Sequence, residues 1–503
     1  MKSQKTACFS VLVVFALLAT LATAGENQNA IVRGEVGHTI SRPMRELSPA
    51  VRPELVSHAA VVKTITGQLS FAGQSAPAKQ LYSDATGAVG ATQYVQLVNS
   101  QYTVYDKTTG SVVAGPVAQD SLWSTFGGSC QTSNDGDGTV MYDQLANVWV
   151  FSHHAVPTGG PYLNCIAVST SSDATGTYYL YAFVLTQQYP DKPRIGIWPD
   201  GYYLSQDILN PSTKSFVRSQ ACALQRDAML AGTYANSICF QGSLSLPTFV
   251  VTTLDGQTPP PAGEPAFFWQ LDQRPNNGRN NLNSFQFHVD WTDPSNATFV
   301  GPVANVLPAY TDTCPNFQPC ITQPGTTNLL QGWGERLIGR VTYRNFGTYE
   351  SVVMAHSVSR NMNSVIHSAI RWYEYRTPLT PVIYQSGTFT PDTTNRWIPA
   401  IAQDQYGDIA IGYNVSSSTV SPGIRYTGHA TTDKIGALEP EKTLITGAGS
   451  QINGNRTWSS FAGMALDPVD DCTFWYTGQY YAANSTSAWK TQIATFRFPS
   501  CTK

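Results

Sequence analysis

The dominant pattern of the chain is a series of short runs in which apolar and polar residues alternate and β-forming side chains are frequent. Alternation with a period of two predicts strands that bury one face. Few segments show the 3.6-residue apolar period of a long helix, so the pattern predicts an all-β fold. The first clear runs cover 92–98 and 101–105, and one set with the spacing of a four-stranded sheet covers 139–142, 148–152, 163–169 and 178–185.

A short turn pattern recurs between these runs. In each copy an Asp or Asn is followed by four turn-type residues and then by another strand-like run. The side chains of Asp and Asn accept hydrogen bonds from turn amides, so each copy predicts a β-hairpin. The copies begin at Asp106, Asp143, Asp293, Asn345, Asp404 and Asp467, with a tighter relative at Asp200.

The spacing of these hairpins predicts the architecture. Most intervals suit a four-stranded blade with its loops, and repeated hairpins at such spacing are typical of a β-propeller. Seven turns predict seven four-stranded blades, with six or eight as alternatives and a two-sheet sandwich as the rival architecture. Stacking blades around an axis buries both apolar faces of every sheet, which no sheet achieves alone.

The N-terminus predicts export. Residues 1–24 have the features of a secretory signal peptide, with Lys2 and Lys5, an apolar stretch over 9–21 and small residues at 22–24. A membrane anchor is the alternative, but the apolar stretch is shorter than the about 20 residues that a span needs. The expected location is therefore secreted, meaning extracellular or periplasmic.

The rest of the chain divides into two parts by its pattern. Residues 25–65 lack periodicity and predict an extended lead-in. Residues 66–503 predict a single propeller domain, with an insertion around 205–283 where the interval between turns is longest.

Charged residues make up only 13% of the chain and the net charge is −3, which argues against nucleic acid or an anionic membrane as a partner. No segment after the signal is apolar enough to span a membrane, and a monomer is expected.

Cysteine usage agrees with export. Eight cysteines follow the signal segment, and an even number in an exported chain predicts disulfide bonds, although about a hundred pairings are allowed. Cysteines and histidines do not cluster, so no zinc site and no cofactor is predicted, with structural calcium at Asp135 and Asp137 left open. Pairing of neighbours along the chain predicts the bonds Cys130–Cys165, Cys222–Cys239, Cys314–Cys320 and Cys472–Cys501.

Several of the strand and turn segments resemble a known family. They are similar to exported, mostly bacterial β-propeller proteins that form a largely uncharacterised family, and the resemblance implies the fold and the export but no reaction. A weaker likeness is to sialidase-type propellers. Residues 402–408 resemble their Asp-box hairpin in the arrangement of the turn but do not match its full motif. The sialidase arginine triad cannot be placed on this chain. The segments that carry the first resemblance are 143–151, 195–203, 340–347, 370–374, 402–413, 424–428 and 467–476.

Candidate binding residues follow from the geometry of a propeller. Ligands bind over the face where the innermost strands begin, and a turn that joins the first and second strands lies on the opposite face. Residues one strand length from the recurring turns are therefore expected to reach the binding face. A guanidinium group binds carboxylates with two parallel hydrogen bonds, and aromatic faces suit sugar rings. The predicted substrate-binding residues are Arg194, Arg336, Arg396, Trp397, Arg456, Trp458 and Tyr480.

Candidate catalytic residues are His154, His356 and Asp137. The histidines are candidates for proton transfer, and Asp137 could act as an acid or a base. Since side chains alternate along a strand, at most one of His153 and His154 can face the channel.

Structural roles are the alternatives for several of these residues. The arginines could bond carbonyl groups of a neighbouring blade, and Trp397 and Trp458 could pack between blades. The segment from Asp135 to Asp137 could form a turn rather than a site.

Taken together, these residues predict a protein that acts on an extracellular, anionic glycan. The expected activity is that of a sialidase-like glycoside hydrolase or a polysaccharide lyase, and the alternative is a non-catalytic glycan- or protein-binding adhesion module. Hydrolysis would require a pair of carboxyl groups, and elimination a His or Tyr base with an arginine. The chain contains no serine-hydrolase, zinc-protease, phosphate-loop or dinucleotide-binding motif.

Overall fold

β-Strands form nearly all the regular structure of the protein. The structure is a computed structural model that describes residues 30–48, 65–77, 80–272, 280–314, 318–452, 454 and 456–501. The predicted signal segment lies outside these residues. The first fifteen strands are β1 (Ile31–Gly34), β2 (Gly37–Ile40), β3 (Thr66–Ser75), β4 (Ala85–Val89), β5 (Gln93–Val98), β6 (Gln101–Asp106), β7 (Val112–Ala118), β8 (Thr139–Asp143), β9 (Val148–Ala155), β10 (Leu163–Ser169), β11 (Tyr178–Phe183), β12 (Tyr189–Trp198), β13 (Gly201–Leu209), β14 (Phe216–Leu224) and β15 (Asn236–Gln241).

The second half of the chain continues in the same way. Two short α-helices, α1 (Gly128–Thr132) and α2 (Arg226–Ala231), and three 3-10 turns at Met44–Glu46, Gln119–Trp123 and Pro294–Asn296 complete the described helical structure. The remaining strands are β16 (Val250–Leu254), β17 (Ala266–Asp272), β18 (Asn281–His288), β19 (Thr298–Val306), β20 (Thr311–Asp312), β21 (Val341–Asn345), β22 (Glu350–Met362), β23 (Val365–Arg376), β24 (Val382–Phe389), β25 (Asn395–Gln403), β26 (Ile409–Ser416), β27 (Gly423–His429), β28 (Lys442–Ile445), β29 (Gly463–Leu466), β30 (Phe474–Tyr480) and β31 (Lys490–Arg497).

Consecutive strands pair antiparallel, so the sheets are meanders. Five sheets consist of β4–β7, of β8–β11 with β2, of β12–β15 with β1, of β25–β28, and of β29–β31 with β3. A nine-stranded sheet holds two further meanders, β16–β19 and β21–β24, which are joined by parallel pairing of β16 with β21, while β20 pairs with β22. The prediction of an all-β fold is confirmed.

The N-terminal part of the chain completes sheets formed by later segments. Within the predicted lead-in, β1 pairs with β15 and β2 pairs with β11. β3 pairs with β31, so strands from near the two ends of the chain share one sheet. The region 205–283, where an insertion is predicted, contains strands β13 to β17 of two sheets, and the division into domains stays a prediction.

The first strands of the meanders form a ring. β4, β8, β12, β16, β21, β25 and β29 contact one another in this order, and β29 contacts β4. A cavity of about 60 Å³ is lined by the beginnings of these strands, for example Thr86, Thr139 and Val250. A second cavity of about 30 Å³ is lined by their ends, including Val89 and Leu254. The first strands therefore run in the same direction, and we call the end where they begin the mouth and the other end the turn face.

One arginine lines both cavities. The Arg340 guanidinium donates a hydrogen bond to the carboxylate of Asp255 at 2.7 Å and another to the carbonyl oxygen of Met464 at 3.2 Å. These bonds join three first-strand segments of the ring.

Neighbouring sheets bury their apolar faces against each other. Val150 and Ile166 of one sheet lie in a common core with Leu204 and Cys222 of the next. All four side chains are excluded from water. Each fully buried aliphatic side chain contributes roughly 1.5–3 kcal/mol, so these contacts between sheets stabilise the ring.

The predicted hairpin chemistry is confirmed at the turns. Asp106 Oδ1 accepts hydrogen bonds from the amides of Thr108 at 3.0 Å and Thr109 at 2.8 Å, and Asp143 Oδ1 accepts from Leu145 and Ala146. The turns at Asp143, Asp200, Asn345, Asp404 and Asp467 join first and second strands, whereas those at Asp106 and Asp293 join third and fourth strands. Since strand direction alternates within a meander, both kinds of turn lie on the turn face.

All four predicted disulfide bonds are present. They join Cys130 to Cys165, Cys222 to Cys239, Cys314 to Cys320 and Cys472 to Cys501. No described helix is both long enough and apolar enough to cross a membrane.

The disulfide bonds should differ in their contribution to stability. Replacing Cys472 and Cys501 together by alanine should lower the free energy of unfolding by about 4 kcal/mol, because the bond closes a 29-residue separation in the unfolded chain. The same change at Cys314 and Cys320, which are 6 residues apart, should cost about 2 kcal/mol. Urea denaturation of both double variants measures the difference, and equal losses would contradict the loop-entropy explanation.

Burial gives the turn face a pH-sensitive carboxyl group. Burial, and then the charge of Asp408, raise the pKa of Asp404 to about 8. The folded-state pKa lies above the ordinary value, so the contribution of this group to stability is full below about pH 4 and is lost as the pH rises through 8.

We expect the variant Asp404→Asn to lose less stability between about pH 6 and about pH 9 than the wild type. Asparagine retains an oxygen that can accept the hydrogen bonds from the amides of Tyr406 and Asp408. Urea midpoints measured at the two pH values test this expectation. An unchanged pH dependence in the variant would show that Asp404 does not titrate in this range.

Candidate functional site

Asp84 is a buried carboxylic acid at the mouth, directly before β4. It is 1% exposed, and Oδ1 accepts hydrogen bonds from the amide of Ser460 at 2.5 Å and the hydroxyls of Ser460 and Ser459 at 3.0 and 3.2 Å. Its other oxygen, Oδ2, has no hydrogen-bond partner among the described residues. Burial, and next the charge of Asp137, raise the pKa of Asp84 to about 6. Asp84 is therefore protonated in mildly acidic solution and can donate a proton.

Asp137 lies beside Asp84 and differs from it in environment. It is half-buried just before β8, has a left-handed backbone conformation with φ of 52°, and its amide donates to Asn99 Oδ1 at 3.0 Å. The bond to Asn99 and the left-handed backbone fix Asp137 just before β8, near the mouth. Two carboxyl groups in unlike environments are the usual basis of acid–base chemistry.

Arg194 is the cation at the centre of this group. It is half-buried on β12, its guanidinium lies 3.2 Å from the centre of the Phe461 ring, and it donates to the carbonyl oxygens of Ile338 and Pro193 at 3.2 Å. Burial lowers the pKa of Arg194 to about 10. The charges of four nearby carboxylates act in the opposite direction on this pKa, those of Asp137, Asp84, Asp207 and Asp191.

Two tyrosines complete the rim of the mouth. Tyr82 and Tyr189 are half-buried, and burial followed by neighbouring aspartates raises the pKa of both, that of Tyr189 to about 12. The Tyr189 ring is covered by the ammonium group of Lys214 at 3.2 Å. Both phenols therefore stay protonated and can donate and accept hydrogen bonds with sugar hydroxyl groups.

Arg336 also lies at the mouth, but its hydrogen bonds are used within the protein. Its guanidinium contacts Glu335 at 3.0 Å, Thr248 Oγ1 at 3.1 Å and Asp207 at 3.5 Å, and the side chain is 9% exposed. Burial raises the pKa of Asp207, whose carboxylate accepts two hydrogen bonds from Thr248. Arg336 therefore holds the loops before β16 and β21 rather than presenting a free charge.

The two candidate catalytic histidines are buried. His154 is 2% exposed, with its ring 6.4 Å from that of Tyr189, whereas His153 packs on Trp123 on the other side of the strand. His356 has no exposed surface, and its Nε2 lies 3.1 Å from the hydroxyl of Tyr373. Burial, and then the charge of Arg371, lower the pKa of His356 to about 3. His356 is therefore neutral at ordinary pH, and neither His154 nor His356 reaches the solvent.

Arg396 forms a buried ion-pair network and is not at the surface. Its side chain has no exposed area and donates to both carboxylate oxygens of Glu441, at 2.9 and 2.7 Å, and to Asp392 at 3.0 Å. The predicted substrate-binding role is wrong for this residue, because every part of the guanidinium is covered by the protein.

Trp397 and Trp458 pack against each other in the core. Both are fully buried, with ring centroids 5.8 Å apart, and Trp458 Nε1 donates to Asn414 Oδ1 at 3.1 Å. The prediction that they bind sugar is corrected, since packing between sheets leaves neither ring a free face. Arg456 is exposed in the loop before β29, and Tyr480, which is 9% exposed, ends β30.

Asp84, Tyr82 and Tyr189, which the structure brings together with Asp137 and Arg194, are not among the residues that the sequence predicts. A signal was available, because Asp84 precedes a first strand just as Asp137 does. That strand, β4, consists of the small residues of 85–89 and lacks the pattern of a strong β-former.

For metals, the described part of the chain contains no group of three or more His, Cys, Asp or Glu side chains able to hold an ion.

The chain was compared with known proteins. No family model matches it, and no curated protein matches it. Among solved structures, a Hadza microbial sialidase aligns with a TM-score of 0.36 at 8% identity over 80% of this chain and 73% of that one. The phage phi92 endosialidase aligns at 0.34 and 7% identity over 87% and 69%, and the Trypanosoma rangeli sialidase at 0.33 and 9% over 72% and 55%. The likeness to sialidase-type propellers is distant, as the sequence indicates, and at these scores it carries no information on activity.

Proposed function

We propose that the protein is an exported β-propeller of seven four-stranded blades, formed by residues 66–503 after removal of the signal segment. The ring of seven first strands supports this architecture. The four disulfide bonds support an extracellular location, because such bonds persist in oxidising compartments.

We infer that the mouth of the ring hydrolyses a glycosidic bond of an extracellular carbohydrate. The observation that carries this inference is the pair of unlike carboxyl groups, Asp84 with a pKa of about 6 and the half-buried Asp137 beside it. In this mechanism Asp84 gives its proton to the leaving oxygen, while the Asp137 carboxylate activates water or stabilises the developing positive charge on the sugar. Arg194 and the two tyrosines bind hydroxyl groups of the substrate.

Hydrolysis is favoured over elimination by the titratable groups at the mouth. Elimination needs a His or Tyr base beside an arginine, and the raised pKa of Tyr82 and Tyr189 keeps both phenols protonated, so neither accepts the proton of the sugar ring. Asp84 and Asp137 supply the two carboxyl groups that hydrolysis uses.

The charges around Arg194 do not favour an anionic sugar at the reacting position. Lys192 pairs with Asp191 and Arg336 pairs with Asp207, so these cations near Arg194 are already compensated and the mouth has no charge preference for a carboxylate or sulfate. We therefore propose that an anionic glycan, which the sequence analysis favours, would place its charged groups outside the mouth.

Binding without catalysis is the second candidate, and one observation favours it. Asp84 is 1% exposed and held by two serines, whereas the tyrosines and Arg194 are open enough to contact a ligand. A rim of aromatic and guanidinium groups binds sugars without any chemistry.

The experiment that separates these candidates uses the mature protein and a panel of neutral and acidic polysaccharides. Hydrolysis predicts new reducing ends without unsaturated products, and elimination predicts both. Retention on a glycan array without any product would establish the binding function. Neither turnover nor retention on any carbohydrate would overturn the proposal.

A further inference from the structure

A separate cavity of about 210 Å³ lies between two neighbouring sheets, outside the mouth. Its lining comes from β1, from the ends of β13 and β15, from the start of β14 and from the segment 185–188, which leads into Tyr189. Because that segment connects the cavity to the rim of the mouth, both open towards the same end of the ring.

Two arginines line this cavity without acidic partners. Arg33 on β1 donates to the carbonyl oxygen of Val184 at 2.9 Å, and Arg218 on β14 donates to the side-chain oxygen of Gln241. In the described part of the chain, neither guanidinium lies within ion-pair distance of a carboxylate, and no Asp or Glu lines the cavity. A guanidinium group has five N–H donors, so most donors of both residues are unused in these contacts.

The floor of the cavity is held by a chain of buried amides. Asn164 donates to Gln206 at 3.0 Å, Gln206 donates to Gln220 at 2.7 Å, and Gln220 donates to the carbonyl oxygen of Leu185 at 3.1 Å. The three side chains are at most 3% exposed. This series of hydrogen bonds links the two sheets and orients Gln220 at the base of the cavity, so the cavity is formed before any ligand binds.

We propose that this cavity binds the carboxylate or sulfate group of an acidic sugar through Arg33 and Arg218. Two guanidinium groups that line one cavity without a counter-ion attract an oxyanion, and each can bind it with two parallel N–H···O bonds. The glutamines at the rim and base supply neutral donors, which suit the sugar hydroxyl groups around such a charge. At the mouth, by contrast, Lys192 and Arg336 are already paired with Asp191 and Asp207, so the charged group is better held in this cavity.

The position of the cavity allows one longer glycan to contact both this site and the mouth. Tyr189 pairs with Leu209 at the point where β12 and β13 reach the rim, and the next pair contains Ile208, which lines the cavity. A chain lying across Tyr189 could therefore reach Arg33 and Arg218 at one end and Arg194 at the other. The oxyanion site itself does not depend on catalysis at the mouth.

Titration calorimetry of the mature protein tests the proposal with two probes, methyl glucuronide and inorganic sulfate. We expect binding of at least one probe, weakened about tenfold or more by Arg218→Gln, because a hydrogen bond to a charged group is lost. Preference for the glucuronide indicates a sugar carboxylate, and preference for sulfate indicates a sulfated sugar. Binding should also weaken as ionic strength rises.

Two variants keep the result interpretable. Arg218→Gln loses a bond only to the Gln241 side chain, so the fold should be unaffected, and its thermal midpoint checks this. Arg45→Gln removes an exposed arginine that pairs with Asp173 outside the cavity, and it should bind the probes like the wild type. Absence of binding by the wild type, or equal affinity in Arg218→Gln, would overturn the proposal whether or not the protein hydrolyses glycans.

Discussion

Replacing Arg396 by alanine should lower the free energy of unfolding by about 3–5 kcal/mol, as expected when one partner of a buried ion pair is removed. The guanidinium has no exposed area and is the bidentate partner of Glu441. Without it, Glu441 keeps only the contact with Arg425 at 2.5 Å and its hydrogen bond from the hydroxyl of Tyr413. Urea denaturation measures the loss.

The matched control is Arg425→Ala. Arg425 pairs with the same carboxylate but is 22% exposed, so its removal should cost about 1 kcal/mol or less. A stable Arg396→Ala variant that loses carbohydrate binding would instead restore the substrate-binding role that the sequence predicts.

Replacing Asp84 by asparagine should lower kcat by about 10²–10⁴-fold on any polysaccharide that the wild type hydrolyses, because the proton donor is lost. The variant should remain folded, since the asparagine oxygen can accept the hydrogen bonds from Ser459 and Ser460. The pH profile gives an independent readout. Burial raises the pKa of Asp84 to about 6, so the acid is available below that pH and is lost as the pH rises through it.

Asp200→Asn is the control for this prediction. Burial also raises the pKa of Asp200 to about 6, but this residue lies in the turn between β12 and β13 on the opposite face. We expect Asp200→Asn to leave kcat and the fall of the rate at alkaline pH unchanged. If Asp84→Asn keeps the wild-type rate, or if the rate of this variant still falls at alkaline pH as in the wild type, Asp84 is not the acid.

The agreement between sequence and structure is closest where interactions are local. The Asp106 side chain bonds amides two and three residues further along the chain, so the turn could be recognised from a short window. The disulfide pairing was predictable because each bond joins cysteines that are neighbours in sequence.

The candidate site was predicted less completely. Asp137 and Arg336 lie at the mouth because they precede first strands, and Arg194 lies there within β12, directly after its bulge. Trp397 and Arg396 stand at the corresponding place in the sequence, yet both are fully buried. A strand pattern indicates which residues lie near a strand end, but exposure there depends on what the neighbouring sheets cover.

The amino-acid order alone therefore determined the all-β character and the hairpins, since both depend on contacts within one sheet or one turn. The cysteine partners followed from the assumption that neighbours in sequence pair, because the sequence allows about a hundred pairings. The tertiary structure decided which charged groups meet. Asp84 accepts its hydrogen bonds from Ser460, 376 residues away, and β3 completes the sheet of β31. Such contacts arise only when the ring closes, because closure brings distant segments together and excludes water from Asp84, and this burial raises its pKa.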